Sequence, residues 1–491
     1  MRASTFAMLA NAAAGASAAI VRGVNLGGWL VTEPWMTPSL FQSTNTADEW
    51  HLCNALGKQK CLSTLENHWS TFYTRNDLAE IKAAGLRYER REHCPPSVMM
   101  YMLIAYAVPA IRIPLGYWAV DLLDYEPYVS GQYPYLVQAV QWANELGLHV
   151  MIDLHGAPGS QNGWEETGLV GPIGFVDNSS NSDRSLNVLQ NLTTEFSKEI
   201  YGGAVTNIEL LNEPIFANAA LRTFYTAGAN VVGPANVSGI NVTIHDAFYN
   251  PPTWANYDPH NPDAQTPGKF LTLDTHQFWA FPPLNTLPEP QILQRICDFA
   301  AALKLNNTGI PPTLVGEWSL STGITANSTS NTEQDQAKRT WFRKLFEAQN
   351  AAYTPQKPGQ PSIGWYFWSW QTEYDIDAWS YRRGVADGYI PSNISDPSTY
   401  IFPVLDNGCI DDTFQYTAAA SVSGLGPSST GASGSASATG TKSGSSAATT
   451  TGGSSASSSS TGSASSAAGM TRPSLWVPGL AISSVLLFCL Y

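Results

Sequence analysis

Two glutamates in distinctive settings stand far apart in this sequence, Glu213 in the run NEP and Glu317 in the run GEW. A pair of carboxyl groups can cleave a glycosidic bond with retention when the fold holds them about 5–5.5 Å apart. One group attacks the anomeric carbon, while the other gives a proton to the departing oxygen and later activates water. The proton donor must stay neutral and the nucleophile ionised, so the two groups need different surroundings. This chemistry therefore requires a fold that joins two distant segments.

Several further residues have types suited to such a site. Arg112 could hydrogen-bond a nucleophilic carboxylate and keep it ionised. Asn212 could donate to the sugar 2-hydroxyl. His155 and His276 could line the subsite of the cleaved sugar, and Trp368 could form its apolar floor. Each also has an ordinary structural alternative, such as a barrel salt bridge for Arg112, a turn residue before proline for Asn212 and a satisfied buried ring for the histidines.

The elements that must position these residues form a regular series. Short apolar runs between residues 20 and 415 alternate in most cases with helical stretches, as expected for parallel strands covered by helices. One helix is predicted at 74–84, starting with a T-x-x-D cap, and another at 135–146, ending at Gly147. Eight such units predict an α/β fold, a (β/α)8 TIM barrel, with the polar residues at the carboxyl ends of its strands. The predicted strands are 21–30, 111–117, 148–154, 205–211, 242–245, 270–274, 313–316 and 364–370.

Seven sequence blocks, in order over roughly residues 20–410, resemble the fungal exo-β-1,3-glucanases of glycoside hydrolase family 5. The blocks are VRGVNLGGWLVTEPW from Val21, HWSTFYTRNDLAEIKAAGL from His68, IRIPLGYW from Ile111, DLHGAPGSQNG from Asp153, IELLNEP from Ile208, GEWS from Gly316 and FWSWQTE from Phe367. The resemblance implies retaining hydrolysis of β-1,3-glucan, release of glucose from non-reducing ends, and no metal or organic cofactor. It also implies that Glu213 is the acid/base, that Glu317 is the nucleophile and that Glu33 grips hydroxyls of the terminal sugar.

The sequence departs from that family pattern in two places. Two residues after His276 the family commonly has a tyrosine whose hydroxyl can bond the nucleophile, and here the residue is Phe278. The block that would read GLRY–IRIP is interrupted by residues 89–110. A strand buried on both faces cannot hold such an interruption without breaking its ladder, so we hypothesise that 89–110 is a translated intron absent from the mature protein. The alternative is a real loop, with the strand beginning near Val108.

Both ends of the chain carry targeting features. Residues 1–18 are predicted to be a signal peptide with an A-x-A cleavage site, and 19–415 to be the hydrolase barrel. Residues 416–470, almost wholly Ser, Thr, Gly and Ala from position 421 onward, predict a disordered, O-glycosylated stalk. Small residues, a short spacer and the apolar tail of 471–491 predict a GPI-attachment signal rather than a membrane-spanning helix. The protein is therefore predicted to be extracellular, at the cell surface and cell wall, and joined to the plasma membrane only through a lipid anchor.

Composition sets the remaining expectations. The net charge of −14 repels nucleic acid and anionic lipid, which leaves a neutral or cationic ligand open, and an uncharged polysaccharide fits. The resemblance makes β-glucan polysaccharide the expected partner, and a monomer is expected. The pairs Cys53–Cys61 and Cys297–Cys409 could form disulfides in an oxidising compartment, and no Cys/His spacing resembles a metal site. Seven N-x-S/T sequons are compatible with a glycosylated protein, at Asn178, Asn191, Asn236, Asn241, Asn306, Asn327 and Asn393.

Two rival functions stay open on the sequence alone. A β-1,6-glucanase, or a broad β-glucosidase or transglycosidase of the same fold, would share both glutamates, because loops around the subsites decide the linkage. A non-catalytic wall protein could bind glucan through its aromatic side chains. The presence of both Glu213 and Glu317 argues against the second rival.

Overall fold

Eight parallel strands close into one barrel in the residues that the computed structural model describes, 20–84, 107–324 and 331–420. In chain order the strands are β1 (Ile20–Asn25), β2 (Ala107–Gly116), β3 (His149–Gly156), β4 (Val205–Glu209), β5 (Asn241–His245), β6 (Leu271–Trp279), β7 (Thr313–Thr322) and β8 (Ser362–Phe367). Each strand pairs in parallel with the next, and β8 pairs with β1. The predicted (β/α)8 TIM barrel is confirmed.

Helices connect most of these strands. In the described residues the α-helices are α1 (Pro38–Phe41), α2 (Glu49–Leu56), α3 (Lys58–Thr71), α4 (Arg75–Ala83), α5 (Tyr133–Leu146), α6 (Ser179–Phe196), α7 (Asn218–Val232), α8 (Glu289–Leu303), α9 (Asn331–Tyr353) and α10 (Tyr381–Ala386). Short 3-10 helices lie at Tyr117–Ala119, Glu165–Thr167, Glu199–Tyr201, Gly233–Ser238, Pro251–Trp254, Leu284–Thr286 and Pro397–Thr399. No helix of the described residues combines the length and apolarity needed to cross a bilayer.

The two helices predicted from sequence have the expected ends. At the start of α4, the backbone N–H of Thr74 donates to the Asp77 carboxylate at 2.8 Å, in a capping box. Helix α5 ends at Gly147, whose φ of 70° lies in the left-handed region that glycine adopts without strain. Local residue chemistry therefore predicted these helix boundaries within two residues.

Several strand boundaries were wrong, each for a local reason. Strand β1 ends at Asn25 rather than at residue 30, because Gly28, with a φ of 68°, turns the chain out of the sheet. Strands β6 and β7 run further than predicted because they continue to pair with each other as far as Trp279 and Thr322. The β8 run begins and ends earlier than predicted, since its partners on β7 start at Thr313.

Strand β2 begins at Ala107 rather than at residue 111, because residues 107–110 pair with 20–23 of β1. This start agrees with the alternative of a strand that begins near Val108. Residues 85–106, which include the GLRY half of the family block, lie outside the described residues. The translated-intron hypothesis for 89–110 therefore stays a prediction, which recovery of a peptide from residues 95–106 of the native protein would overturn.

The interior of the barrel has an apolar layer beneath a charged one. Ala110 and Met151 pack in a buried cluster with Leu314 and Tyr366. Ala110 and Met151 each precede a charged residue, at positions 112 and 153, by two places on the same strand, so they face the same side one layer lower. This apolar layer forms the base on which the functional site is built.

Two disulfides lie at the periphery of the barrel in the part of the chain that the structure describes. Cys53–Cys61 has a Cα–Cα distance of 5.0 Å, and Cys297–Cys409 one of 5.4 Å, which confirms both predicted pairs. The predicted signal peptide, the stalk beyond residue 420 and the GPI signal lie outside the described residues.

Candidate active site

Glu213 and Glu317 lie together at the carboxyl ends of the strands, with a histidine between them. Glu213 follows β4, whereas Glu317 lies in β7 directly beside His276 of β6 in the strand register. His276 Nδ1 is 2.6 Å from Glu213 Oε1 and 3.5 Å from Glu317 Oε2. Two oxygens at these distances from one atom are at most about 6 Å apart, which is compatible with the separation that a retaining pair needs. The barrel thus joins the two carboxyl groups that the sequence separates.

The backbone at Glu213 is held in an unusual conformation. Its φ is 42°, in the left-handed region that residues other than glycine seldom adopt. The loop after β3 fixes this turn: Gln161 Nε2 donates to the Asn212 carbonyl at 3.0 Å, and Asn162 Nδ2 donates to the Glu213 carbonyl at 3.1 Å. Such strain persists only where the surroundings impose it, and it is concentrated at functional sites.

Arg112 lies beneath the pair and contacts the second glutamate directly. Its Nη1 donates to Glu317 Oε1 at 2.7 Å, and its Nη2 donates to Asn212 Oδ1 at 2.8 Å. The side chain is fully buried and also donates twice to Glu209 Oε2, at 3.2 and 2.8 Å. Arg112 is therefore a barrel salt bridge and a support of the Glu317 carboxylate at the same time.

Three buried acids around Arg112 were missed by the sequence reasoning. Glu209 is one, and Asp153 and Asp274 lie 3.1 and 3.7 Å from the guanidinium; all three are fully buried. Burial raises the pKa of Glu209 well above its usual value, although Arg112 opposes the rise. Burial also acts to raise the pKa of Asp153, but Arg112 and then His155 hold it below its usual value. A signal was present, since each acid interrupts an apolar strand and a buried charge must have a partner there.

The charge of His276 determines how the two glutamates interact. Although burial acts to lower it, Glu317 and Asp274 raise the pKa of His276 well above its usual value, which favours the protonated ring. Its Nδ1–H then donates to Glu213. Burial raises the pKa of Glu317, while His276 and Arg112 oppose that rise. Two cations thus favour a negative charge on Glu317.

His155 and Trp368 form a flat wall beside the carboxyl groups. Their rings stack at 5.6 Å with an angle of 7°, and His155 Nδ1 is 2.6 Å from Asp153 Oδ2. A Cβ on Gly27 would lie 2.7 Å from the Trp368 ring, so only glycine fits there. His155 Nε2 and Asn212 Nδ2 are buried and have no hydrogen-bond partner among the described residues. Both nitrogens therefore remain available to a ligand.

Glu33 and Phe278 belong to an aromatic side of the site. Trp35 Nε1 donates to Glu33 Oε2 at 2.8 Å, and the Trp35 ring lies 4.9 Å from Trp379. The Phe278 ring is 5.5 Å from Trp379 and 6.4 Å from His276, so aromatic carbons occupy the place of the family's tyrosine. Burial, and then Glu165, raise the pKa of Glu33 well above its usual value. All eight predicted residues are thus placed at this rim of the barrel.

A closed (β/α)8 barrel with two carboxyl groups at most about 6 Å apart at the carboxyl ends of its strands has the arrangement of a retaining glycoside hydrolase. The chain belongs to glycoside hydrolase family 5, since the family described as "Cellulase (glycosyl hydrolase family 5)" matches residues 99–373. It is 34% identical over 412 residues to the "Probable glucan 1,3-beta-glucosidase A" of Aspergillus fumigatus, covering 77% of this chain and 88% of that protein. It is 32% identical over 420 residues to "Glucan 1,3-beta-glucosidase 2" of Wickerhamomyces anomalus, covering 76% and 88%.

Solved structures share the fold. The rutinosidase from Aspergillus niger aligns with a TM-score of 0.55 at 22% identity, over 76% of this chain and 98% of that one. The protein AoRut aligns with a TM-score of 0.58 at 23% identity, over 76% and 96%. Family membership makes the protein an enzyme, which removes the non-catalytic wall protein from consideration.

Proposed function

We propose that the protein hydrolyses β-1,3-glucan with retention and releases glucose from non-reducing ends, with Glu317 as nucleophile and Glu213 as acid/base. The observation that carries this proposal is the contact of both carboxyl groups with His276 Nδ1, at 2.6 and 3.5 Å. The substrate class rests on the relatives named glucan 1,3-beta-glucosidase, which the chain matches over 88% of their length.

The reaction uses the asymmetry between the two carboxyl groups. Glu317, supported by Arg112 and His276, attacks the anomeric carbon while Glu213 gives its proton to the departing oxygen. The C–O bond breaks and a glycosyl ester forms on Glu317. Glu213, now a carboxylate, takes a proton from water, and the water attacks the ester to release the sugar with its original configuration. A sugar acceptor in place of water would give transglycosylation.

Binding of the terminal glucose follows from the available donors and the flat wall. Asn212 Nδ2, which lacks a partner in the described residues, donates to a sugar hydroxyl, and His155 Nε2, whose ring donates to Asp153 from Nδ1–H, accepts from another. Trp368 offers an aromatic face to the ring, as sugars require. Glu33, whose second oxygen is not used by Trp35, accepts from hydroxyls at the non-reducing end. These contacts close the glucose end of the site and favour exo action.

Localisation belongs to the same proposal. The signal at 1–18, the stalk at 416–470 and the tail at 471–491 support secretion and a GPI anchor at the cell surface and wall. Two disulfides support an oxidising compartment. Of the sequons, Asn178, Asn191 and Asn306 are exposed, whereas Asn241 lies in β5. The enzyme acts as a monomer on polysaccharide.

A mechanism-based 2-fluoroglucoside tests the assignment directly. The label is expected on the peptide that contains Glu317, because the ester forms there and its hydrolysis is slow. Products from laminarin and pustulan, with the anomer identified by NMR, test linkage and retention. A label on another residue would refute the nucleophile assignment, and activity confined to pustulan would replace the substrate with a β-1,6-glucan.

A further inference from the structure

His245, the last residue of β5, is a buried histidine that the proposed mechanism does not use. Its side chain is fully buried at the carboxyl end of β5, the strand that lies between β4 and β6. Tyr225 holds the backbone here, since its hydroxyl donates to the His245 carbonyl at 2.7 Å. The nitrogens of a buried histidine ring normally each have a hydrogen-bond partner.

The hydrogen bonds of His245 determine which nitrogen carries the proton. The backbone N–H of Ala247 donates to Nδ1 at 3.0 Å, so Nδ1 presents its lone pair. An accepting Nδ1 is a feature of the neutral ring, and burial, followed by the charges of His276 and Arg112, favours that form by holding the pKa of His245 well below its usual value. A neutral ring with an accepting Nδ1 carries its proton on Nε2. Nε2–H is buried and has no partner among the described residues.

The ring of His245 lies against the acid/base site. A ring nitrogen of His245, a ring nitrogen of His276 and a carboxylate oxygen of Glu213 all lie within 4.8 Å of one another. The two imidazoles are nearly perpendicular, with centroids 4.4 Å apart and an interplanar angle of 79°. At such a separation, one bridging water can join a ring nitrogen of His245 to the Glu213 carboxylate.

The same three side chains have the composition of a metal site, but the tautomer opposes that role. A metal ion needs a lone pair on the coordinating nitrogen. The Nδ1 lone pair of His245 already accepts from Ala247, and Nε2 carries the proton. The cation His276 also donates to Glu213 at 2.6 Å, which would have to be given up. The cluster is therefore better suited to stabilising a negative charge than to holding a positive one.

We propose that His245 is a positioning residue for the acid/base, donating from Nε2–H to the Glu213 carboxylate formed when its proton passes to the leaving oxygen. This inference rests on the proposed function. Ala247 and Phe248, with φ of 53° and 60°, hold the loop that presents the Ala247 N–H to Nδ1. Strained backbone thus maintains the tautomer that the donor role requires.

The expected pH effect has a definite sign. A donor to the carboxylate favours loss of the proton from Glu213, so removing the donor should move the alkaline limb of kcat/KM to higher pH. The other charged or titratable groups acting on Glu213 are unchanged by a substitution at His245; they are His276 of β6, Glu317 of β7, Glu33 after β1 and Glu166 after β3.

Two matched variants separate the roles of the two ring nitrogens. In His245→Asn, the amide oxygen can replace Nδ1 as acceptor for Ala247, but the Nε2 donor is lost. In His245→Gln, the longer amide places an N–H where Nε2 was, while the Nδ1 acceptor is lost. We expect H245N to lower kcat/KM on laminaribiose by roughly 10- to 100-fold and to move the alkaline limb up by about one pH unit. We expect H245Q to recover most of the wild-type kcat/KM and most of the wild-type position of the alkaline limb.

Several results would overturn the proposal. One is a kcat/KM near that of wild type in H245N together with a low kcat/KM in H245Q. That result would mean that only the acceptor at Nδ1 matters and that its role is structural. Another is an unmoved alkaline limb in an active H245N enzyme. A third is inhibition of the wild type by Zn²⁺ that H245N abolishes, which would make the cluster a cation site.

With 2,4-dinitrophenyl β-glucoside, whose leaving group needs no proton, kcat/KM of H245N should stay within about threefold of wild type.

Nitrogen NMR of the wild-type enzyme gives a test that does not depend on folding of the variants. An Nε2–H tautomer of His245 supports the proposal, and an Nδ1–H tautomer refutes it. If the wild type hydrolyses neither laminaribiose nor the dinitrophenyl glucoside, the proposed function itself has failed. That outcome is distinguishable, because an active wild type is the reference for every comparison above.

Discussion

The two layers of the barrel interior differ sharply although the same strands build them. The lower layer is apolar, with Ala110, Met151, Leu314 and Tyr366 packed together. Two residues further along, β2 and β3 present Arg112 and Asp153, and the upper layer is charged. Buried side-chain atoms without a hydrogen bond within the described residues include Asp153 Oδ1, Glu209 Oε1 and Asn212 Nδ2, all in the upper layer.

The difference indicates that the lower layer contributes mainly to stability, whereas the upper layer holds the charged groups of the proposed reaction. Apolar contacts in the lower layer stabilise the barrel without burying a charged side chain in that layer. The upper layer holds charges away from water, which is unfavourable unless each has a partner, and Arg112 provides much of that partnership. Substitutions in the two layers should therefore separate activity from stability.

The largest expected effect is in the upper layer, at Glu317. Glu317→Gln removes the nucleophile while its amide oxygen can still accept from Arg112. We expect kcat to fall by at least about 10,000-fold, with the free energy of unfolding within about 2 kcal/mol of wild type. Kinetics on laminarin and urea unfolding measure the two quantities. Glu66→Gln, at an exposed position of α3, is the matched control and should change neither. Surviving turnover in E317Q would reject the assignment.

The counterpart in the lower layer is Leu314, three positions before Glu317 on the same strand. Leu314→Ala should lower the free energy of unfolding by about 2–5 kcal/mol, because a cavity forms in a packed cluster. We expect kcat to stay within about twofold, measured well below the unfolding temperature. Loss of kcat in folded L314A, shown folded by circular dichroism, would mean that the layers are not independent.

A change of pH should alter the free energy of unfolding through buried carboxyl groups. Burial raises the pKa of Glu49 to about 7, although Thr32 and Trp118 donate to it, and burial raises that of Asp246 to about 6. A raised folded-state pKa contributes stability that is complete below the unfolded pKa of about 4 and is lost as pH rises to 7. Glu49 alone should account for up to roughly 3 kcal/mol.

Urea unfolding between pH 4 and 7.5 measures this dependence. In Glu49→Gln the slope should become shallower whatever the absolute stability, because the titrating group is gone. Glu66→Gln again serves as the exposed control. A slope that E49Q leaves unchanged would show that Glu49 does not titrate in this range.

The smallest effect is expected at Phe278. Phe278→Tyr should add a hydroxyl near Glu317 that can donate to its carboxylate and increase kcat by up to about 10-fold. The same bond favours the ionised form, which lowers the pKa of Glu317 and moves the acidic limb of the pH profile to lower pH. Phe414→Tyr, on an exposed ring that packs on Phe402, is the control. A slower F278Y enzyme would mean that the aromatic side needs an apolar ring here.

Much of the fold could be predicted because the strands and helices carry local signals. The capping box of α4 and Gly147 after α5 determined helix ends from a few residues. The lengths of β6 and β7 could not be predicted, since they depend on pairing between segments that meet only in the closed barrel. Local patterns cannot report such pairing.

The candidate site divides in the same way. Residues that follow apolar runs, such as Glu213, could be placed from the barrel rule alone. The partnership of His276 with both glutamates, and the contribution of His245 from β5, required the three-dimensional register. In the sequence Glu209 is an ordinary strand residue, because its contact with Arg112 exists only in the closed barrel.

The contacts of Arg112 affect which active-site residues can change during evolution. Its guanidinium lies within 4.0 Å of four carboxylates, those of Asp153, Glu209, Asp274 and Glu317. A change at Arg112 alone would strand several negative charges in a dry interior, whereas Glu213 could be exchanged with little harm to the barrel. We therefore expect that a lineage abandoning catalysis would lose its working glutamates first and retain the arginine long afterwards. In such a descendant, the buried arginine would record an ancestral enzyme.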